Sequence, residues 1–345
     1  MRHPTALLTL AIPSAMAFAQ PPAGYYDPAQ GLSGQALRAA LAGIIDGHNV
    51  LSNADLWNAF ETADDRPDGY VWDIYSDVPG GTPPYLYSFG SDQCGSYNSE
   101  GDCYNREHTV PQSWFNGGAP MVTDLHHILP TDGWVNQQRG NLPYGEVGAA
   151  DWTGQNGTKV GDNTWPGYSG TVCEPIDAYK GDLARIYFYM MTRYMGQVAS
   201  WSSDMLQGGD LSPWAESLLL DWHNGDPVST KEVDRNNAAF ALQGNRNPFV
   251  DNPAWVSSIW GPTAAIAADD AGAGPVVRLQ DGWIRLTRGQ AESSRVRLID
   301  VAGRTVRELD WCVTELRFPV PGPGPWMLEL RSSRARTVQR VVALE

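Results

Sequence analysis

Two hydrophobic rhythms divide this chain. Before residue 260, apolar side chains recur in blocks at helical spacing; after 274, they alternate in short runs. ALRAALAGIIDGH, residues 36–48, sets Leu37, Leu41, Ile44 and Ile45 on one face and predicts an amphipathic helix. ADLWNAFETAD, 54–64, predicts a second. In GYVWDIYSDVPG, Tyr70, Trp72 and Ile74 alternate ahead of a Pro-Gly turn, which predicts a strand, and YLYSFG, 85–90, predicts the next. Residues 148–175, rich in Gly, Asn and Trp, read as loop. GDLARIYFYMMTRYMG, 181–196, is the strongest helical pattern, with Ile186, Tyr189, Met190 and Tyr194 as a buried stripe. SPWAESLLLDWHNGD predicts a helix capped by Ser212 with Pro213 in its first turn. TKEVDRNNAAFALQGNRNPFVDNP reads as a polar helix running into a loop.

The rhythm changes across GPTAAIAADDAGAGP, a small-residue stretch that marks a linker over 261–274. Beyond it, VVRLQ, WIRLTR, RVRLIDVAG, LRFPV, PWMLELRS and TVQRVVAL alternate between turn residues, as in a small antiparallel β-sandwich over 275–345. The fold class expected is therefore α+β: a helix-rich domain over 20–260, then the sandwich. At the other end, Arg2 and His3 precede the apolar run ALLTLAIPSAMAFA, and Ala17-Phe18-Ala19 forms an A-x-A cleavage site, so 1–19 read as a secretory leader. That run is too short to span a bilayer. A secreted, monomeric protein is expected, in a compartment that permits disulfides.

Charge and cysteines narrow the picture. The formal net charge is −15, but residues 271–345 hold twelve Arg and eight acids, while 20–270 hold 11 basic residues against 31 acidic ones, a net of −20. Such a surface repels polyanions at long range, unless a few arginines and a bound divalent cation reverse the field locally. Cys94 and Cys103 flank the loop CGSYNSEGDC. A disulfide closing that loop is the preferred reading and two separate thiols the alternative; Cys173 and Cys312 fall in different domains and are left unpaired.

The densest chemistry lies in YNREHTVPQSWF, 104–115, where Arg106, Glu107 and His108 stand in a row. A carboxylate can hold a hard cation, an imidazole can take a proton near neutral pH, and a guanidinium fits phosphate. On a strand, however, Glu107 and His108 would point to opposite faces. TDLHHILPTDGWVNQQRGN adds Asp124, His126 and His127, then Asn136 and Arg139, with Thr131 or Asp132 as the cap of a short helix. Asp124 reads as a structural cap, and His126 and His223 as buried hydrogen-bonding residues. Arg185 and Arg193, eight apart on one helix, and Arg235 and Arg246 further on, are expected either to pair with acids or to contact nucleic-acid phosphates.

NREHTVPQSWF and DLHHILPTDGWVNQQRGN resemble the two signature blocks of the bacterial endonuclease I family, secreted or periplasmic non-specific nucleases, and the resemblance runs over roughly 30–258. It implies a ββα-metal, or His-Me finger, core with added helices. It further implies His108 as general base and one Mg²⁺, with Ca²⁺ or Mn²⁺ as substitutes, held by Glu107 and Asn136. Arg139 and Arg106 would contact phosphate, and DNA and RNA would be cut without sequence preference. A local distortion at the strand end would turn Glu107 and His108 toward one phosphate. The chain departs from the family pattern at His127, usually Asn, and in VNQQRGN, where Gly-Asp commonly precedes the Arg.

VRLIDVAGRTVRELD and PGPGPWMLELRSSRARTVQRVVAL resemble the sorting domains of type IX secretion, implying the secretion machinery as a partner; a carbohydrate- or surface-binding β-domain is the alternative. Two other functions remain in view. One is a zinc hydrolase using His108, His126 and His127; the other is a non-catalytic surface-binding protein.

Overall fold

The computed structural model describes residues 21–261 and, beyond them, 276–280, 283–287, 293–300, 304–321, 324–332 and 336–343. The expected leader, and the expected linker past Gly261, lie outside the described residues. The chain divides into two compact units, Met1–Gly261 and Pro262–Glu345.

The first unit is α+β. Helices α1 (Gly34–Ile44) and α2 (Asp55–Ala63) open it, α1 burying Leu37 and Leu41 and α2 burying Leu56, Ala59 and Phe60. The hairpin of β1 (Tyr104–His108) and β2 (Ile128–Asp132) follows and leads directly into α3 (Gly133–Arg139). Asp132 caps α3 by accepting from the Val135 N–H at 2.7 Å, as its sequence position suggested. A Cβ on Gly133 would lie 2.5 Å from the Tyr97 ring, so only glycine lets the loop before β1 press on the start of α3. Cys94 and Cys103 close that loop as a disulfide with Cα atoms 5.6 Å apart; Cys173 and Cys312 are free.

Next come β3 (Val147–Thr153), β4 (Lys159–Asn163) and β5 (Thr171–Glu174), an antiparallel sheet where a loop was expected. Most of β3 is exposed, so no apolar alternation announced it. The opposite correction applies upstream: 70–76 and 85–90 form no strand. Asp73 instead accepts from the backbone N–H groups of Tyr75 (2.8 Å) and Asp132 (3.1 Å), and residues 73–77 are buried without alternation. Side-chain capture of backbone donors has displaced the ladder there.

Helix α4 (Lys180–Arg193) is buried on every side rather than along one stripe, adding Leu183, Tyr187, Phe188 and Met191 to the predicted residues. It forms the axis of the main core, each large apolar side chain contributing about 1.5–3 kcal/mol on burial. After the short β6 (Leu206–Gln207) and β7 (Asp210–Leu211) come α5 (Pro213–Gly225), α6 (Thr230–Gln243), α7 (Pro248–Asp251) and α8 (Ala254–Ile259). Ser212 stands at the N-cap of α5 but its hydroxyl bonds Asp204 O instead; α6 carries a capping box of Ser229 and Glu232. A smaller core joins α2, the β1–β2 hairpin and Ala239 of α6.

The second unit is a two-sheet antiparallel sandwich. Its strands are β8 (Val276–Gln280), β9 (Trp283–Thr287), β10 (Ser294–Ile299), β11 (Thr305–Trp311), β12 (Glu315–Pro319), β13 (Gly324–Ser332) and β14 (Arg336–Ala343). They run in the orders β11-β10-β13-β14 and β12-β9-β8. Alternate residues Ile284 and Leu286, Val296 and Leu298, and Leu328 and Leu330 form the core with Trp311 and Phe318.

Candidate active site

The β1–β2 hairpin and α3 assemble most of the chemistry-bearing residues. Asn105 and Glu107, two apart on β1, face the same way. They meet Asn136 and Arg139, three apart on α3 and so on one helical face. Asn136 Nδ2 donates to Asn105 Oδ1 at 2.7 Å, and Arg139 Nη1 donates to Glu107 Oε1 at 2.8 Å. Glu107 is 2% exposed; Tyr75 and Tyr144 hydroxyls also donate to its Oε1, at 3.0 and 3.3 Å. Burial pushes the Glu107 carboxyl above its ordinary value, against the pull of the Arg139 guanidinium.

Arg139 differs from the expected phosphate contact. It is 1% exposed, and its five N–H donors are all directed at protein acceptors: Leu142 O, Glu107, His108 O, Thr109 O and Tyr187 Oη. Its guanidinium lies 4.5 Å from the Tyr144 ring centroid. No donor is left for a substrate, so the residue positions Glu107 and the turn after His108. The ladder is regular through His108↔Ile128, so the expected distortion at the strand end is absent from the pairing. Arg139 links the two neighbours instead, holding the Glu107 carboxylate and the His108 carbonyl with one nitrogen.

His108 ends β1, and its ring reaches into the loop that joins the strands. Nε2 sits 3.0 Å from Val122 O, and Nδ1 sits 3.2 Å from Gln112 Nε2. A carbonyl only accepts, so Nε2 carries the proton and Nδ1 is the basic atom. Burial lowers the His108 pKa, which keeps the ring neutral near neutral pH. The neighbouring His127 uses the same device, donating from Nε2 to Met121 O at 2.7 Å, with ring centroids 5.5 Å apart. His126 turns its Nε2 to Asn245 O at 3.1 Å. The three imidazoles therefore do not share a cation, and no group of three or more His, Cys, Asp or Glu among the described residues is placed to hold a metal. That geometry goes against the zinc arrangement.

Where β1 meets α3, two oxygens of the described residues could hold a hard cation. Asn136 is oriented by its bond to Asn105, and its Oδ1 has no hydrogen-bond donor among the described residues; neither does Glu107 Oε2. A carboxylate and an amide oxygen suit Mg²⁺, which keeps several waters and needs few protein ligands. Arg106 is half-buried over the Trp57 ring, 4.7 Å from its centroid, and one Nη donates to Asn53 O at 2.7 Å. Its other N–H groups have no hydrogen-bond partner among the described residues.

The remaining expected phosphate contacts are internal braces. Arg185 pairs with Glu232 and donates to Asp226 O; Arg235 pairs with Asp64 at 2.8 Å and holds the carbonyls of Leu125 and Ile128; Arg246 pairs with Asp251 at 2.7 Å. Arg193 pairs with Asp46 at 2.7 Å beside His48. All four side chains are at most 8% exposed, Arg193 at the edge of the core beside the exposed Asp46, so the ion-pair alternative holds for them in place of phosphate contacts. Asp124 caps the turn into His126 and accepts from Tyr189 and Tyr194. His223 bonds Pro253 O. Gln112, Asn105, Tyr75 and Tyr144 were not singled out in the sequence. Asn105 could have been, because it stands two before Glu107 on a strand.

The sequence is similar to those of known proteins. The family model of endonuclease I matches residues 33–254. An extracellular ribonuclease of Bacillus amyloliquefaciens is 36% identical over 245 residues, 68% of this chain and 78% of that protein. One of Bacillus subtilis (strain 168) is 32% identical over 246 residues, with the same shares. An extracellular deoxyribonuclease of Aeromonas hydrophila is 26% identical over 164 residues, 42% of this chain and 64% of that protein.

Proposed function

Because the chain belongs to the endonuclease I family, we propose that the site formed by β1, β2 and α3 is a single-metal, His-Me finger centre for phosphodiester hydrolysis. The protein is a secreted endonuclease. The expectation of a non-catalytic surface-binding protein therefore falls. Relatives named for ribonuclease and for deoxyribonuclease activity support RNA and DNA as substrates. Cleavage without sequence preference fits a site whose spare groups suit phosphate rather than base edges.

The observation that carries the mechanism is the 3.0 Å contact between His108 Nε2 and the Val122 carbonyl. With Nε2–H committed to Val122 O, Nδ1 is the lone pair able to take a proton from the attacking water. Gln112 Nε2 lies 3.2 Å from Nδ1, where the attacking water would take its place in the substrate complex. Glu107 Oε2 and Asn136 Oδ1 would hold the Mg²⁺, with Ca²⁺ or Mn²⁺ as substitutes. That ion would stabilise charge on the phosphoryl oxygens and the leaving 3′-oxygen. Arg139 keeps Glu107 in place, and Arg106 offers its free N–H groups to a substrate phosphate. The C-terminal sandwich would serve export as a sorting domain.

The test is cleavage of plasmid DNA and of RNA, in EDTA and after Mg²⁺ is restored. Both substrates should survive in EDTA and be cut on restoration; cleavage that continues in EDTA would sink the metal-dependent reading.

A further inference from the structure

We propose that a surface cleft between the β4–β5 turn and the start of α5 is a nucleobase subsite for a single-stranded substrate, a few nucleotides from the bond that is cut. The proposal rests on the nuclease reading above. The cleft measures about 680 Å³ and is lined by Tyr168, Trp214, Ser203, Asp204, Gln207 and Ser217, among others. Its wall is the half-buried Tyr168, whose ring is backed by the buried Trp214, 4.6 Å away and 9° from parallel. Gly167 makes this packing feasible. Its φ is +98°, and a Cβ there would lie 2.9 Å from Trp214 Cβ. Tyr168 is pinned through its hydroxyl to Asp204 at 3.0 Å, and Trp214 Nε1 donates to Asp204 O at 2.9 Å.

The chemistry selects the occupant. No Lys, Arg or His lines the cleft, and Asp204 is acidic, so phosphate is disfavoured there. A neutral planar ring is favoured, because every base can stack on an aromatic face. Asp204 takes the Tyr168 hydroxyl on Oδ2, while its Oδ1 and the Gln207 amide have no hydrogen-bond partner among the described residues, and they suit the polar edge of a base. Placement supports a substrate strand over an unrelated ligand. Beneath the surface, buried rings step from His108 to His127 (5.5 Å), to Phe115 (6.0 Å) and to Trp201 (5.4 Å), which brings the cleft near the general base through the interior. Ser202 N–H then donates to Trp114 O at 3.1 Å, and Ser203 and Asp204 follow at once. The cleft thus borders the loop that carries the Gln112 partner of the general base.

The experiment uses the full chain and short single-stranded DNA oligonucleotides, either intact or with abasic sites a few nucleotides to either side of the scissile bond. Tyr168→Ala and Gln207→Ala should raise KM on the intact strand, Tyr168→Ala by about 5- to 50-fold, with kcat unchanged. Tyr168→Phe should restore KM, because it keeps the ring. On the abasic strand the wild type should bind as weakly as Tyr168→Ala. An unchanged KM in Tyr168→Ala overturns the subsite; so does an equal loss on both strands, which would point to sugar stacking or misfolding. Direct titration with adenosine monophosphate and ribose 5-phosphate keeps the two ideas separable. If the wild type cuts nothing, the nuclease reading fails, while Tyr168-dependent preference for the base-bearing probe still decides the cleft.

Discussion

Arg139→Met tests whether the arginine is an internal brace. The substitution keeps most of the aliphatic length and removes all five donors, including the 2.8 Å bonds to Glu107 Oε1 and to His108 O. It leaves Glu107, 2% exposed, with only the Tyr75 and Tyr144 hydroxyls. Breaking a buried pair from one side costs about 3–5 kcal/mol, because the remaining charge is stranded. For a unit of this size each kcal/mol moves Tm by about 2–4 °C, so melting should fall by about 10 °C. The assay is a circular-dichroism melt of the full chain beside cleavage kinetics. Adding Glu107→Gln should recover part of the stability, since the stranded charge is gone. Unchanged melting with a raised KM would refute the reasoning and return Arg139 to the phosphate.

Stability should also fall in mild acid. Burial lowers His126 and His127 to about 4 and about 3, against 6.5 for the free side chain. Between about pH 4 and 6.5 these two rings each take a proton in the unfolded chain that they do not take in the folded one. Their contribution is complete above 6.5 and is lost as pH falls, at about 1.4 kcal/mol per proton per pH unit. Asp73, pushed up to about 8 by burial, works the other way and removes about half of that slope. Urea midpoints at pH 7 and pH 5 check this; equal midpoints would contradict it. Arg235→Met should lower stability by about 3–5 kcal/mol yet leave the salt dependence of DNA binding unchanged, whereas a shallower salt slope would mean a phosphate contact was lost. Asn105→Ala should raise the Mg²⁺ needed for half-maximal rate by about 10- to 100-fold, with the rate recovered at saturating Mg²⁺, because Asn136 loses the partner that orients its amide. An unchanged Mg²⁺ requirement would count against Asn136 as a ligand.

What could be read ahead was set by local physics. The helices at 34–44 and 180–193 follow from spacing, and the α3 cap from Asp132. The sandwich strands alternate because one face of each is buried. The β3–β5 sheet was missed because its exposed residues carry no such alternation. The false strand near Trp72 carried alternation, but Asp73 captured the backbone donors. At the site, Glu107, His108, Asn136 and Arg139 lie in two short blocks that the hairpin and α3 bring together. The fate of the arginines was hidden, because an acid partner such as Asp64 for Arg235 lies 171 residues away. An arginine pattern alone does not distinguish a phosphate clamp from a core ion pair. The role of Arg139 changed for the same reason: its partners Thr109 and Tyr187 lie 30 and 48 residues away.

The central claim is that His108 Nδ1 removes the proton from the attacking water. The most direct measurement is the plasmid-cleavage rate of His108→Ala at saturating Mg²⁺, with its melting curve recorded alongside. The account predicts a fall of about 10²- to 10⁴-fold with melting close to wild type. A rate within tenfold of wild type would contradict it.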